Sequence, residues 1–178
     1  MNIPFSPPDI SEREIESVVE TLRSGWITTG PKTKEFEKQI AAYVGTERVV
    51  CLNSSTAAME MTLRLLGIGP GDEVIVPAYT YTASCSVICH VGATPVMVDI
   101  KQDHPEMDYA KVAEAITERT KVIIPVDLAG IVCDYETLYR VLEGKKSLFH
   151  ANTKNELQKH FDRIIVMADS AHGFGAVR

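Results

Sequence analysis

Basic side chains and long apolar runs are both scarce in this sequence. Its 178 residues carry 24 Asp and Glu against 18 Lys and Arg, with a formal net charge of -6. A nucleic-acid groove needs clustered Lys and Arg, so this balance argues against a nucleic acid as partner. No apolar run approaches the roughly 20 residues that span a bilayer, and residues 1–10 show neither the basic nor the apolar region of a secretory signal. We therefore expect a cytoplasmic protein with no membrane partner.

Cysteine is also scarce, and its spacing argues against a metal site. The four cysteines form no CxxC pair, which favours reduced thiols in the cytoplasm. Cys85 and Cys89 lie four residues apart on a predicted helix, but two ligands do not make a zinc site. We interpret both as small buried side chains and expect no metal.

Short apolar runs alternate with helical patterns along most of the chain. This alternation is typical of βαβ units around a mostly parallel sheet. The polar residues 143–160 are less regular, and we expect them to form a surface excursion with a short helix. Strands are predicted at residues 49–52, 74–76, 96–98, 122–126 and 164–167. Helices are predicted at residues 11–24, 33–44, 57–66, 82–91, 108–116 and 135–142.

Polar residues follow the predicted strands, where an open parallel sheet binds its ligands. Residues 53–56 (NSST) lead from a strand into a helix. The first N–H groups of a helix are unpaired and its N-terminus is partially positive, so a phosphate would fit there. Ser and Thr are also favoured at helix starts when nothing binds there, so these residues could be a helix cap alone. No P-loop motif is present.

Side chains at two other strand ends could contact the same ligand. Asp169 follows the apolar run 164–168, and a carboxylate there is costly to bury unless a donor or a positive group meets it. A protonated ring nitrogen would serve, and so would a structural hydrogen bond. Tyr81, or Tyr79 two positions earlier, could stack on a planar ligand or pack in the core. His172 taken alone is more often a structural residue than a catalytic one.

The order of the motifs carries more information than any one of them. The motifs are GWITTGP (25–31), NSSTAA (53–58), LGIGPGDEVIVP (66–77), GATPV (92–96), TERTK (117–121) and DSAH (169–172). In this order the chain resembles the DegT/DnrJ/EryC1/StrS family of pyridoxal-phosphate (PLP) sugar aminotransferases over nearly its whole length. The resemblance implies a three-layer α/β/α fold with a mostly parallel sheet, like a truncated large domain of a fold-type I aminotransferase.

The resemblance also implies a role for each candidate in the cofactor site. Ser55, Thr56 and Ala57 would hold the phosphate of PLP at the start of a helix. Tyr81, rather than its neighbour two positions earlier, would stack on the pyridine ring. Asp169 would pair with the pyridinium nitrogen, which keeps the ring protonated and able to act as an electron sink.

Other matching positions belong to the rim of that site. His172 would lie near the phenolic oxygen of the cofactor. The loop with Trp26, Thr28 and Thr29 would lie at the mouth of the active site, where the homodimers of the family meet.

The domain organisation and the activity follow from the same resemblance. Residues 1–30 would form an N-terminal helix and the mouth loop, and residues 31–178 an incomplete PLP-binding domain without the C-terminal small domain. The family moves an amino group, usually from glutamate, onto a nucleotide-linked keto sugar. Its Schiff-base lysine lies beyond the position of Arg178. We therefore expect the intact homodimer to aminate a sugar for surface polysaccharide or a related glycoside, whereas this chain binds PLP noncovalently at most and is inactive.

Two alternatives and two departures from the family pattern stay open. A naturally short homologue without catalysis could bind a ligand or a partner through its sheet edge. A nicotinamide-dependent oxidoreductase fits less well because the glycine fingerprint is incomplete. Asp127 stands where the family usually has His, which puts contacts near the cofactor in doubt. Residues 143–160 have the length of an insertion.

Overall fold

The structure of the protein is a computed structural model that describes residues 7–177. The chain forms two compact units, residues 1–51 and 52–178. This division lies further along the chain than the boundary expected after residue 30, and that functional boundary stays a prediction. Arg178, the end of the predicted cofactor domain, lies outside the described residues.

The first unit contains two helices, α1 (Glu12–Ser24) and α2 (Pro31–Val44). The Ser11 hydroxyl and the Glu14 carboxylate form a reciprocal capping box, as their spacing predicts, so the start of α1 is satisfied by side chains. Gly25 ends α1 with a left-handed backbone (φ 73°), a conformation that glycine adopts without a Cβ clash.

The apolar faces of these two helices are exposed. The helical spacing of Phe36, Ile40 and Tyr43 predicts that they face inward, yet Phe36 and Tyr43 are 55% and 66% exposed and Ile40 is only half-buried. That prediction is wrong, and neither helix has a buried residue. Two helices alone cannot enclose their apolar side chains, because each helix offers only one stripe to the other.

The second unit is built on a four-stranded parallel sheet. Its strands, in the spatial order β2-β1-β3-β4, all pair in parallel, which confirms the predicted α/β class. The central strand β1 is buried along its whole length, as expected when helices cover both faces of a sheet. The strands are β1 (Glu73–Pro77), β2 (Thr94–Val98), β3 (Thr120–Ile123) and β4 (Ile165–Val166).

Four helices cover this sheet in two groups. α3 packs against α4, and α5 packs against α6. The crossover from β1 to β2 runs in the opposite direction to those from β2 to β3 and from β3 to β4, so right-handed connections place the two groups on opposite faces, giving three layers. The helices are α3 (Ser55–Leu65), α4 (Thr82–His90), α5 (Tyr109–Ala115) and α6 (Tyr135–Gly144). The core between them contains the fully buried side chains Leu63, Ile75, Ile88, Ile123 and Leu138.

The predicted strand at residues 49–52 does not form. A strand is held by backbone hydrogen bonds to a neighbour, and within residues 7–177 no segment pairs with this one. Its apolar side chains Val50 and Leu52 are correspondingly 75% and 44% exposed. β3 and β4 are also shorter than predicted, but a single parallel bridge between Val126 and Asp169 extends their pairing towards the carboxyl ends.

The segment 143–160 was expected to be a surface excursion, but it is held to the rest of the second unit by side-chain hydrogen bonds. It forms two short 3-10 helices, Lys146–Leu148 and Gln158–His160. Gln158 is fully buried, and its side-chain amide donates to the Leu66 carbonyl at 2.6 Å. The Asn155 side-chain amide donates to the Leu65 carbonyl at 3.0 Å, so the segment satisfies carbonyls at the end of α3 that the helix leaves unpaired.

Residues 7–177 contain neither a membrane-spanning helix nor a cluster of metal-binding side chains. No helix there has the length and apolar character needed to cross a bilayer. No group of three or more His, Cys, Asp or Glu is placed to hold a metal ion among those residues. Cys85 is half-buried and Cys89 is exposed, so the prediction that both are buried is wrong for Cys89.

Candidate functional site

A cavity of about 210 Å³ opens at the carboxyl ends of β1, β3 and β4. β1 pairs with β2 on one side and with β3 on the other, so the chain reverses direction across the sheet at this edge. Such a switch point is where open α/β sheets bind ligands. Five of the six residues predicted to bind the cofactor line this cavity: Ser55, Thr56, Tyr81, Asp169 and His172.

The start of α3 forms one wall of the cavity. Ser54 caps the helix, and its hydroxyl accepts the N–H of Ala57 at 3.1 Å. The Ala57 N–H is therefore already bonded within the helix cap, and Ala57, which was predicted to bind the cofactor, does not line the cavity. The N–H groups of Ser55 and Thr56 meet no acceptor within residues 7–177. This wall therefore offers two backbone donors, two hydroxyls and the positive end of the helix dipole.

The Asp169 carboxylate also lines the cavity, beside Ser55, and is 6% exposed. Ser84 donates to its Oδ2 at 2.8 Å, while Ser55 and the Ala171 N–H donate more weakly to its Oδ1 at 3.4 and 3.3 Å. No cation among the described residues pairs with it. A buried carboxylate held only by neutral donors is electrostatically suited to a cationic group in the cavity.

His172 lies at the cavity with a defined hydrogen-bond direction. Its Nδ1 accepts the N–H of Ala129 at 3.3 Å, so the neutral imidazole carries its proton on Nε2. Ala129 adopts a left-handed backbone (φ 55°), which is uncommon for a residue with a Cβ. The bond to the imidazole satisfies the N–H that this conformation presents.

The two candidate tyrosines differ in their placement. Tyr81 lines the cavity at the start of α4 and is 77% exposed. Tyr79 is also exposed but does not line the cavity. Packing in the core, which the sequence left open for both, is therefore excluded, and only Tyr81 is placed to meet a ligand there.

One family of known proteins matches most of this chain. The model of the DegT/DnrJ/EryC1/StrS aminotransferase family matches residues 8–149. The chain belongs to this family. The resemblance inferred from the order of the motifs is thereby confirmed.

Several members of the family are similar to the chain over part of their own length. The spore coat polysaccharide biosynthesis protein SpsC of Bacillus subtilis (strain 168) is 44% identical over 142 residues, which are 80% of this chain and 36% of SpsC. The UDP-4-amino-4-deoxy-L-arabinose--oxoglutarate aminotransferase of Shewanella sediminis (strain HAW-EB3) is 42% identical over 173 residues, which are 97% of this chain and 40% of that protein. The chain thus spans about two fifths of the length of these relatives.

A solved structure shares the fold closely. Spr1654 of Streptococcus pneumoniae, described as a sugar aminotransferase, is 65% identical with a TM-score of 0.95. The match covers 98% of this chain and 44% of Spr1654, whose structure is known in apo, PMP and PLP forms.

Asp127, the departure from the usual family residue, is turned away from the cavity. It is 4% exposed and accepts hydrogen bonds from the Cys133 N–H at 2.9 Å and the Ser170 hydroxyl at 2.6 Å. The Tyr135 hydroxyl lies 3.1 Å from each of its oxygens. The carboxylate therefore ties the loop after β3 to the loop that carries Asp169, and it does not line the cavity.

The groups around Asp127 stay protonated at neutral pH. Burial, together with the charge of Asp127, raises the pKa of the Cys133 thiol to about 12. The same two causes raise the pKa of the Tyr135 hydroxyl, which can therefore donate to the carboxylate. A Cβ on Gly173 would approach the Asp127 Cβ to 2.9 Å, so the close packing of the two loops requires glycine there.

The residues predicted for the mouth of the site lie together in the first unit. Trp26, Thr28 and Thr29 line a second cavity of about 610 Å³, between the end of α1 and the start of α2. The Trp26 indole donates to the Thr29 carbonyl at 3.1 Å. A Cβ on Gly30 would overlap the indole at 2.1 Å, so this loop conformation depends on glycine.

Ser84 is a site residue that the sequence did not reveal, whereas Thr80 lies in the segment 77–81, after a predicted strand, where ligand contacts were expected. Thr80 lines the cavity, and its hydroxyl lies 3.0 Å from that of Ser84. Ser84 is fully buried behind Asp169. The sequence signal that could have indicated Ser84 is its hydroxyl on the face of α4 that is otherwise formed by the apolar residues Val87 and Ile88.

We expect Asp127→Ala to lower the free energy of unfolding by about 3 kcal/mol, because the buried Cys133 N–H and the less buried Tyr135 and Ser170 hydroxyls lose their acceptor. Asp127→Asn keeps the shape and one acceptor oxygen, so its loss should be smaller. Asp99→Ala removes an exposed carboxylate and is the control. Urea denaturation measures the differences. An Asp127→Ala variant as stable as Asp99→Ala would show that Asp127 does not hold the two loops together.

Proposed function

We propose that the intact protein acts as a PLP-dependent aminotransferase that transfers an amino group from glutamate to a nucleotide-linked keto sugar, with the cavity in this chain as the cofactor site. The observation that carries this proposal is the Asp169 carboxylate, buried at the cavity with neutral donors alone. Such a carboxylate is matched to a protonated ring nitrogen. Membership of the aminotransferase family and the PLP form of Spr1654 support the same cofactor.

The residues around the cavity would suit the phosphate, the pyridine ring and the ring nitrogen of PLP. Ser55 and Thr56 would hold the phosphate through their N–H groups and hydroxyls at the start of α3. Tyr81 would stack on the ring, and Asp169 would accept the hydrogen bond of the ring nitrogen. When bound, PLP supplies the electron sink for amino-group transfer.

The chain's own residues would set the protonation of the site. Asp169 would keep the proton on the ring nitrogen, because a charge-assisted hydrogen bond stabilises the charged form of both partners. His172 presents its Nε2 proton, since its Nδ1 is occupied by the Ala129 N–H, and would donate to the phenolic oxygen. Neither role requires a side chain to change the hydrogen bonds that it makes in the structure.

The substrates are proposed from the relatives and from the mouth loop. The name of the Shewanella relative includes a UDP-linked amino sugar and oxoglutarate, the keto acid that remains when glutamate gives up its amino group. The name of SpsC refers to polysaccharide biosynthesis. We assign the sugar nucleotide to the mouth formed by Trp26, Thr28 and Thr29, in a cytoplasmic homodimer like those implied by the family resemblance. The chain by itself would bind PLP without a covalent bond.

Binding of PLP to the 178-residue chain tests the cofactor site. We expect Asp169→Ala to weaken binding about tenfold or more, because a hydrogen bond to a charged group is lost. Asp99→Ala is the matched control, an aspartate that also follows a strand but lies outside the cavity. Equilibrium dialysis gives the dissociation constants. Equal affinities for the wild type and Asp169→Ala would contradict the assignment, and a specific pyridoxyl-lysine adduct after borohydride reduction would contradict noncovalent binding.

The activity itself is tested with the product of the full-length gene. We expect an amino sugar when this protein is mixed with PLP, glutamate and nucleotide-linked keto sugars, with one oxoglutarate formed for each amino sugar. Mass spectrometry of the nucleotide fraction identifies the product, and reactions without glutamate are the control. Formation of no amino sugar from any of the keto sugars would reject the proposed substrate class.

A further inference from the structure

The geometry assigns Ser84 as a positioning residue that orients the Asp169 carboxylate towards a ring nitrogen. Its hydroxyl lies 2.8 Å from Asp169 Oδ2, nearer than either of the other side-chain or backbone donors to this carboxylate. Ser84 is fully buried and does not line the cavity, so it reaches Asp169 from the side away from the ligand. This inference rests on the proposed cofactor site and adds to it a residue that never touches the cofactor.

The direction of the hydrogen bonds follows from the chemistry of the three groups. A carboxylate only accepts, and a serine hydroxyl has one proton. The Ser84 proton is therefore directed to Asp169, and the contact of 3.0 Å between the Thr80 and Ser84 hydroxyls must have Thr80 as its donor. The result is a directed chain, Thr80 to Ser84 to Asp169, in which each bond strengthens the next.

Ser84 also connects the two residues proposed to contact the ring. Its backbone N–H donates to the Tyr81 carbonyl at 3.2 Å, while its side chain holds Asp169. Tyr81 follows β1 and Asp169 follows β4, two strands that are separated by β3. One residue on the first turn of α4 thus sets the stacking residue and the carboxylate in register across the sheet edge.

Loss of the Ser84 hydroxyl should have a selective effect. Asp169 Oδ2 would lose its nearest donor, and the carboxylate could rotate away from the ring nitrogen. The phosphate contacts at the start of α3 do not involve Ser84 and should persist. The effect should therefore fall on the recognition of the ring nitrogen and leave the other contacts of the cofactor unchanged.

The experiment compares PLP with its 1-deaza analogue, in which a C–H replaces the ring nitrogen. Isothermal titration calorimetry on the 178-residue chain gives both dissociation constants, and their ratio measures the contribution of the nitrogen. We expect Ser84→Ala to lower this ratio about fivefold or more, as for the loss of a hydrogen bond to a charged group, with the analogue bound as in the wild type. Ser84→Thr keeps a hydroxyl and should retain the wild-type ratio.

Ser86→Ala is the matched control. The Ser86 hydroxyl is half-buried on the same helix, and its hydrogen bond goes to the Ala83 carbonyl at 3.4 Å. Its removal should leave the dissociation constants of PLP and of the analogue unchanged. Should Ser84→Ala fail to fold, Ser84→Cys keeps the volume with a weak donor and gives the same comparison.

The outcomes separate this inference from the proposed function. A wild-type chain that binds PLP and the analogue equally would overturn the contact between Asp169 and the ring nitrogen, and the role of Ser84 with it. A wild-type chain that discriminates, together with a Ser84→Ala variant of unchanged ratio, would overturn the role of Ser84 alone. Equal weakening of both ligands would reduce Ser84 to a structural residue and would also overturn the inference.

Discussion

The burial of the Asp169 carboxylate constrains the site more than any other single feature. A carboxylate that is 6% exposed needs donors, and these come from α3, α4 and the loop after β4. The first two segments are far from Asp169 in the sequence, so the sheet must bring them together before hydrogen bonds can satisfy the charge of Asp169. These neutral donors do not neutralise the negative charge of Asp169, so the carboxylate can still pair with one cation. In the proposed function this cation is the protonated ring nitrogen of the cofactor.

The order of the strands provides this arrangement. β1 lies between β2 and β3, so the loops after β1 and β3 diverge and leave a cavity at their carboxyl ends. The loop after β4 closes that cavity with Asp169 and His172. Asp127 ties this loop to the loop after β3 through Ser170, and its own side chain does not line the cavity.

Much of this organisation could be predicted from local patterns. The apolar runs at residues 74–76 and 96–98 became strands, and the spacing of Ser11 and Glu14 marked a helix start, because these features depend on neighbouring residues. The run at residues 49–52 failed as a strand because pairing depends on a partner elsewhere. Burial of Gln158 was hidden for a related reason: its partner is a carbonyl 92 positions away.

The site shows the same division between local and distant information. The order of the motifs predicts by resemblance that Asp169, Tyr81 and the start of α3 contact the cofactor, and the structure brings them to one cavity, whereas the residues alone left a structural role open for each. The sequence did not indicate Ser84, because its contact with Asp169 spans 85 positions and involves a common residue type. Hydrogen bonds between distant segments are set by the tertiary fold, and a single sequence contains no direct record of them.

The central claim is that Asp169 keeps a cofactor ring nitrogen protonated. Its most direct test is the ¹⁵N NMR chemical shift of PLP labelled at the ring nitrogen and bound to the 178-residue chain. The account predicts the shift of a protonated pyridinium above the pH at which free PLP loses this proton, and loss of that shift in Asp169→Ala. The shift of a neutral pyridine in the wild-type complex would contradict it.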